Sequence, residues 1–70
     1  MRSKNIWDFS HVSGKIKLLT KNGITYTGYV ITVEDGTELE TTEDFIVIRC
    51  DDNVLRVFEQ GEIRALSTDD

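Results

Sequence analysis

The sequence predicts an all-β fold: a five-stranded, strongly bent antiparallel barrel with a short N-terminal helical turn. Three observations predict it. Short β-prone runs recur between clusters of turn residues, and in the first of them Ile16 and Leu18 alternate with lysines, the period-two pattern of a half-buried strand. Asn22-Gly23 lies between two such runs, and both residues tolerate the positive φ that tight hairpin connections demand. Gly28 interrupts the longest run, and a glycine inside a strand marks a sharp bend or a close approach of another backbone. Helical periodicity does not compete, because β-branched residues are too many and turn signals too frequent.

The elements follow in chain order. Residues 1–13 form a lid, 14–67 the barrel and 68–70 a frayed tail. In the lid, Asn5 is placed to cap a helical turn with Asp8 three residues on, loosely a capping box. So short a turn needs tertiary support, and Ile6, Trp7 and Phe9 must dock over one end of the core. The strands are expected over 15–20, 24–33, 45–50, 54–58 and 62–67. Residues 34–44 hold Glu34, Asp35, Glu38, Glu40, Glu43 and Asp44 and read as an exposed acidic loop. Asp51-Asp52-Asn53 makes a second tight turn, and Glu59-Gln60-Gly61 a short connection.

A 70-residue chain is one small domain with a thin core. Chains of this size usually gain stability from disulfides, a metal or a partner subunit. Cys50 is the single cysteine, so no intrachain bridge can form. The charge is uneven. Residues 1–33 carry Arg2, Lys4, Lys15, Lys17 and Lys21 against Asp8, which gives +4; residues 34–70 hold twelve acids against Arg49, Arg56 and Arg64, which gives −9; together they make the −5 of the chain. That acidity argues against indiscriminate DNA binding. No run reaches the ~20 apolar residues of a membrane span, and the N-terminus lacks the apolar run of a signal peptide, so a soluble cytoplasmic protein is expected.

The order Asn22-Gly23, Gly28, Asp35, with apolar residues between, resembles the first sequence motif of the Sm and Sm-like (LSm) family. The runs 54–58 and 63–66 on either side of Gln60-Gly61 are similar to the second motif, and Ile6-Trp7-Asp8-Phe9 to the opening of small bacterial members. The resemblance implies the Sm-like, SH3-like barrel. It also implies homo-oligomeric rings in which the fourth strand of one subunit (Val54, Leu55, Val57, Phe58) pairs with the fifth of the next (Ile63, Leu66). By the same resemblance Asp35, Thr37, Glu38, Gln60 and Gly61 occupy the positions that hold RNA in family members. Three of them depart from the family's chemistry. Glu38 stands for an asparagine, Gln60 for an arginine or lysine, and Thr37 offers no ring to stack on a base.

The remaining candidates are weighed on their own chemistry. Lys15, Lys17 and Lys21 could form a basic strip for RNA on another surface, although surface lysines commonly serve solubility alone. Trp7, Tyr26 and Tyr29 could stack on bases, but a chain with few large apolar residues needs them for packing. Asp35 at a strand end commonly caps a turn. His11 and Cys50 make neither a convincing catalytic pair nor a zinc site, which takes four such ligands, and the acidic loop does not match the spacing of a calcium loop. No catalytic residue, metal or cofactor is expected. The reading that emerges is a non-enzymatic ring-forming platform, with an RNA-binding ring or a monomeric SH3-like barrel for a peptide or protein partner as alternatives.

Overall fold

A computed structural model describes residues 2–36 and 43–68. The strands are β1 (Arg2–Ser3), β2 (Ile16–Thr20), β3 (Thr25–Glu34), β4 (Phe45–Cys50), β5 (Leu55–Glu59) and β6 (Ile63–Thr68). They form one antiparallel sheet in the order β1-β6-β2-β3-β4-β5. A 3-10 turn, Ile6–Phe9, follows β1, and a second, Gln60–Glu62, joins β5 to β6. No α-helix, and no helix long and apolar enough to cross a membrane, occurs among the described residues.

Three features differ from the sequence expectation. The sheet is not closed: β5 and β6 lie far apart in the strand order although only three residues separate them in the chain. A sixth strand is present, since Arg2 pairs with Ser67 and Ser3 with Leu66, placing the first residues of the lid in the sheet. Thr68, expected in a frayed tail, pairs with Ile16, and the rest of that tail, 69–70, lies outside the described residues.

Local chemistry explains most boundaries. Thr20 and Ile24 close a three-residue turn in which Gly23 takes φ 88° and donates its N–H to the Thr20 carbonyl at 3.0 Å. The β4–β5 turn repeats this plan with Asn53 at φ 67°, its N–H 2.8 Å from the Cys50 carbonyl. Gly28 is explained by close approach: a Cβ there would overlap the Arg49 carbonyl and lie 2.8 Å from the Cys50 Cα. Beyond it, β3 and β4 shift register between Val30 and Thr32, a bulge that bends the long strand.

The core lies on one face of the sheet. Ile16, Leu18, Ile46, Ile48 and Leu66 are fully buried, with Val33, Cys50, Phe58 and Ile63 beside them. Ile6 and Phe9 are equally buried and close the end of this core, each contributing about 1.5–3 kcal/mol of hydrophobic stabilisation. Trp7 does not dock with them and remains 43% exposed, which corrects the expectation that all three lid residues turn inward. The geometry requires it, since a single 3-10 turn cannot point three near-consecutive side chains the same way.

Candidate functional site

Three places could carry function: the pole around Gln60, the lysines along β2, and the open edge at β5.

At the pole, Asn5 caps the lid as expected, accepting the Trp7 N–H at 3.0 Å. Asp8 does not complete a capping box. Its carboxylate accepts the Ser3 hydroxyl at 2.6 Å, and it is Ser3 Oγ that takes the Asn5 N–H at 3.0 Å. Gln60 ties the lid to the sheet: its side-chain oxygen accepts the Ile6 N–H at 2.9 Å and its amide donates to the Lys4 carbonyl. Asp44 is a second junction. Its carboxylate accepts the Trp7 indole N–H at 2.7 Å and the Gly36 N–H at 3.2 Å, while its carbonyl accepts the Gln60 N–H at 2.9 Å. Lys4, Asn5, Trp7, Asp44 and Gln60 line a cleft of about 390 Å³ over these contacts.

Of the residues that the resemblance places at an RNA site, Thr37 and Glu38 lie outside the described residues. Asp35 follows directly on β3, and Gly61 sits in the β5–β6 turn, where a Cβ would lie 2.5 Å from a carboxylate oxygen at the end of the flexible Glu43 side chain. The Gln60 amide is already committed on both its oxygen and nitrogen to lid backbone. Next to Gly61 the field is negative. Desolvation, then the nearby Glu43 and Glu62 carboxylates, push the Glu59 carboxyl above its usual range.

The lysines lie in and beside β2, Lys17 within it and Lys15 and Lys21 just outside its two ends, and do not make one continuous patch. Lys15 Nζ lies 3.1 Å from an Asp51 carboxylate oxygen and 5.9 Å from the centre of the Tyr29 ring. A Thr27 hydrogen bond, then Lys15, hold Asp51 below its usual carboxylate value. Lys17 is exposed in mid-strand between Thr27 and Ser67. Lys21 stands in the turn beyond Thr20, its N–H on the Glu62 carbonyl at 3.0 Å and its carbonyl accepting from Arg64 at 3.0 Å. From Lys15 to Lys21 the three lysines are spread over seven residues, about 20 Å of mostly extended chain, with Asp51 engaging the first of them.

The aromatic residues divide. Tyr26 packs against Phe58 with ring centres 5.0 Å apart, and the Arg56 guanidinium covers it at 5.2 Å while binding both oxygens of Asp52 at 3.0 Å. Those contacts lower the Asp52 carboxyl and raise the Arg56 guanidinium further above its usual value. Tyr29 is largely outside the core. Cys50 is buried at the end of β4, and no cluster of His, Cys, Asp and Glu able to hold a metal occurs among the described residues.

The edge is the least satisfied part of the sheet. Among the described residues β5 ends the strand order and pairs with β4 alone, so alternate backbone N–H and C=O groups face away from any described strand. Its outward side chains are apolar: Leu55 is 58% and Val57 56% exposed, with Val54 at 46% just before them. Across the sheet, Val47 stands opposite Val57, Arg49 opposite both Leu55 and Tyr29, and Ile31 is exposed at the bulge. Phe58, Ile63 and Leu66, named by the resemblance with these residues, are core side chains, so only the backbone of their strands could face a neighbour. The open edge at β5 falls on the strand that the resemblance names for pairing between copies, whereas Asp44 gave no signal beyond an acid before a strand. Compared with family models, curated proteins and solved structures, the chain matches none.

Proposed function

We propose that the protein is a non-enzymatic assembly module that joins copies of itself by strand addition and serves as a binding or scaffold platform. The carrying observation is the unpaired β5 edge with its apolar residues Val54, Leu55 and Val57. An edge strand with unpaired backbone and apolar side chains favours a further strand, and natural monomers usually blunt such edges with charge, proline or a bulge. β5 presents none of these on its outward face except Glu59 at its end. The thin core of a 70-residue chain adds a reason for partnership. The finer form of the proposal is an Sm-like barrel whose copies close into a homo-oligomeric ring, which would pair every edge.

The test is solution mass. Light scattering over micromolar concentrations is expected to give several times the 8.0 kDa of one chain. Val57→Lys, which adds a charge at the centre of β5, is expected to lower that mass without unfolding the chain. A folded monomer at every concentration overturns the proposal.

A further inference from the structure

β1 covers part of the edge that a second copy would need, and this inference rests on the strand-addition reading above. An open sheet has two ends. One is β5; the other would be β6, except that Arg2 and Ser3 pair with Ser67 and Leu66. Among the described residues, β1 covers Leu66 and Ser67 on the outer edge of β6 and leaves residues 63–65 uncovered. Head-to-tail growth places β5 of one copy on β6 of the next, and the two strands match in length at five and six residues. With β1 in place, that pairing stops short.

We propose that β1 is a detachable cover that gates head-to-tail assembly: it must leave β6 before β5 of a second copy can pair there. The attachments of the N-terminal segment fit such a device. Its anchors lie after β1, in the fully buried Ile6 and Phe9 and in the Gln60 side chain bound to the Lys4 carbonyl and Ile6 N–H. The side-chain hydrogen bonds of Ser3 stay within the segment, to Asp8 and the Asn5 N–H. Arg2 is exposed. The two-residue ladder can therefore open while the lid remains seated over the core. The described ladder, two residue pairs, is short, and a five-residue strand from a second copy offers more backbone pairing to the same edge.

The experiment locks the cover. Arg2 and Ser67 are direct antiparallel partners, whose Cα separation of about 4.5–5.5 Å suits a disulfide. In a Cys50→Ala background, Arg2→Cys with Ser67→Cys should assemble when reduced, fall to monomers or β5-linked pairs when oxidised, and reassemble on reduction, as read by light scattering. A chain lacking residues 1–3, checked for folding by circular dichroism, should assemble at about tenfold lower concentration, the scale of one or two lost strand hydrogen bonds. If oxidised and reduced forms assemble alike and the deletion changes nothing, the gate is wrong while self-assembly stands. If the unaltered, reduced and shortened chains are all monomeric, both readings fall.

Discussion

Gly28 has a steric rather than a conformational reason to be glycine. Its φ is ordinary for a strand, but the Arg49 carbonyl occupies the space a Cβ would need. Gly28→Ala is expected to force β3 and β4 apart and cost about 3 kcal/mol, measured as a lower denaturant midpoint with the slope unchanged. Asn53 has the opposite reason, a left-handed backbone with φ 67°. Asn53→Gly should be tolerated there, whereas Asn53→Ala should cost about 1 kcal/mol by the same measurement. Glu59 sets a pH dependence. Desolvation and the Glu43 and Glu62 carboxylates raise its folded-state pKa, so the folded form holds the proton more tightly than the unfolded form. Its ionisation at neutral pH therefore weakens the fold, and stability returns as pH falls through the raised value. Asp51 and Asp52 act in the other direction: their lowered values support the fold above the ordinary carboxylate range, and that support is lost on strong acidification. Glu59→Gln should raise the melting temperature at pH 7 and remove the gain that the unaltered protein shows as pH falls toward the ordinary Glu range.

The lid and the β5–β6 connection depend on each other through Gln60. One amide satisfies a lid donor and a lid acceptor across 54 residues of sequence for Ile6 and 56 for Lys4. Gln60→Ala should cost about 2 kcal/mol, because it removes both bonds and leaves the Ile6 N–H without its partner. Hydrogen exchange should then quicken first at the amides of the lid. β5 is the other decisive element. A charged residue at Val57 should leave the fold intact, since that side chain already faces outward, and should act on assembly alone.

For the whole molecule, the open sheet joins stability to association. The chain has no disulfide and a small core, so pairing of its edges would add stability by mass action. Its melting temperature should therefore rise with protein concentration in parallel with its mass, and Val57→Lys should flatten both curves. A melting temperature independent of concentration while the mass changes would separate folding from assembly.

Local pattern in the sequence was enough for the strands, their antiparallel order in hairpins and their turns. Asn22-Gly23, Asp52-Asn53 and the alternation of Ile16 and Leu18 act over a few residues, and backbone sterics and period-two burial need no distant partner. Gly28 was legible as a bend or close contact, but only the crossing of β3 and β4 chose the close contact. The turn of Trp7 out of the core, the junctions at Asp44 and Gln60, and the seating of β1 on β6 were not legible. Each joins residues far apart in the chain, and hydrogen bonds between such residues leave no periodic trace in sequence. The free edge was reached only through the resemblance, which names residues 54–58 as a strand that pairs between copies; local pattern alone does not show which strand lacks a neighbour, because that is a property of the whole sheet.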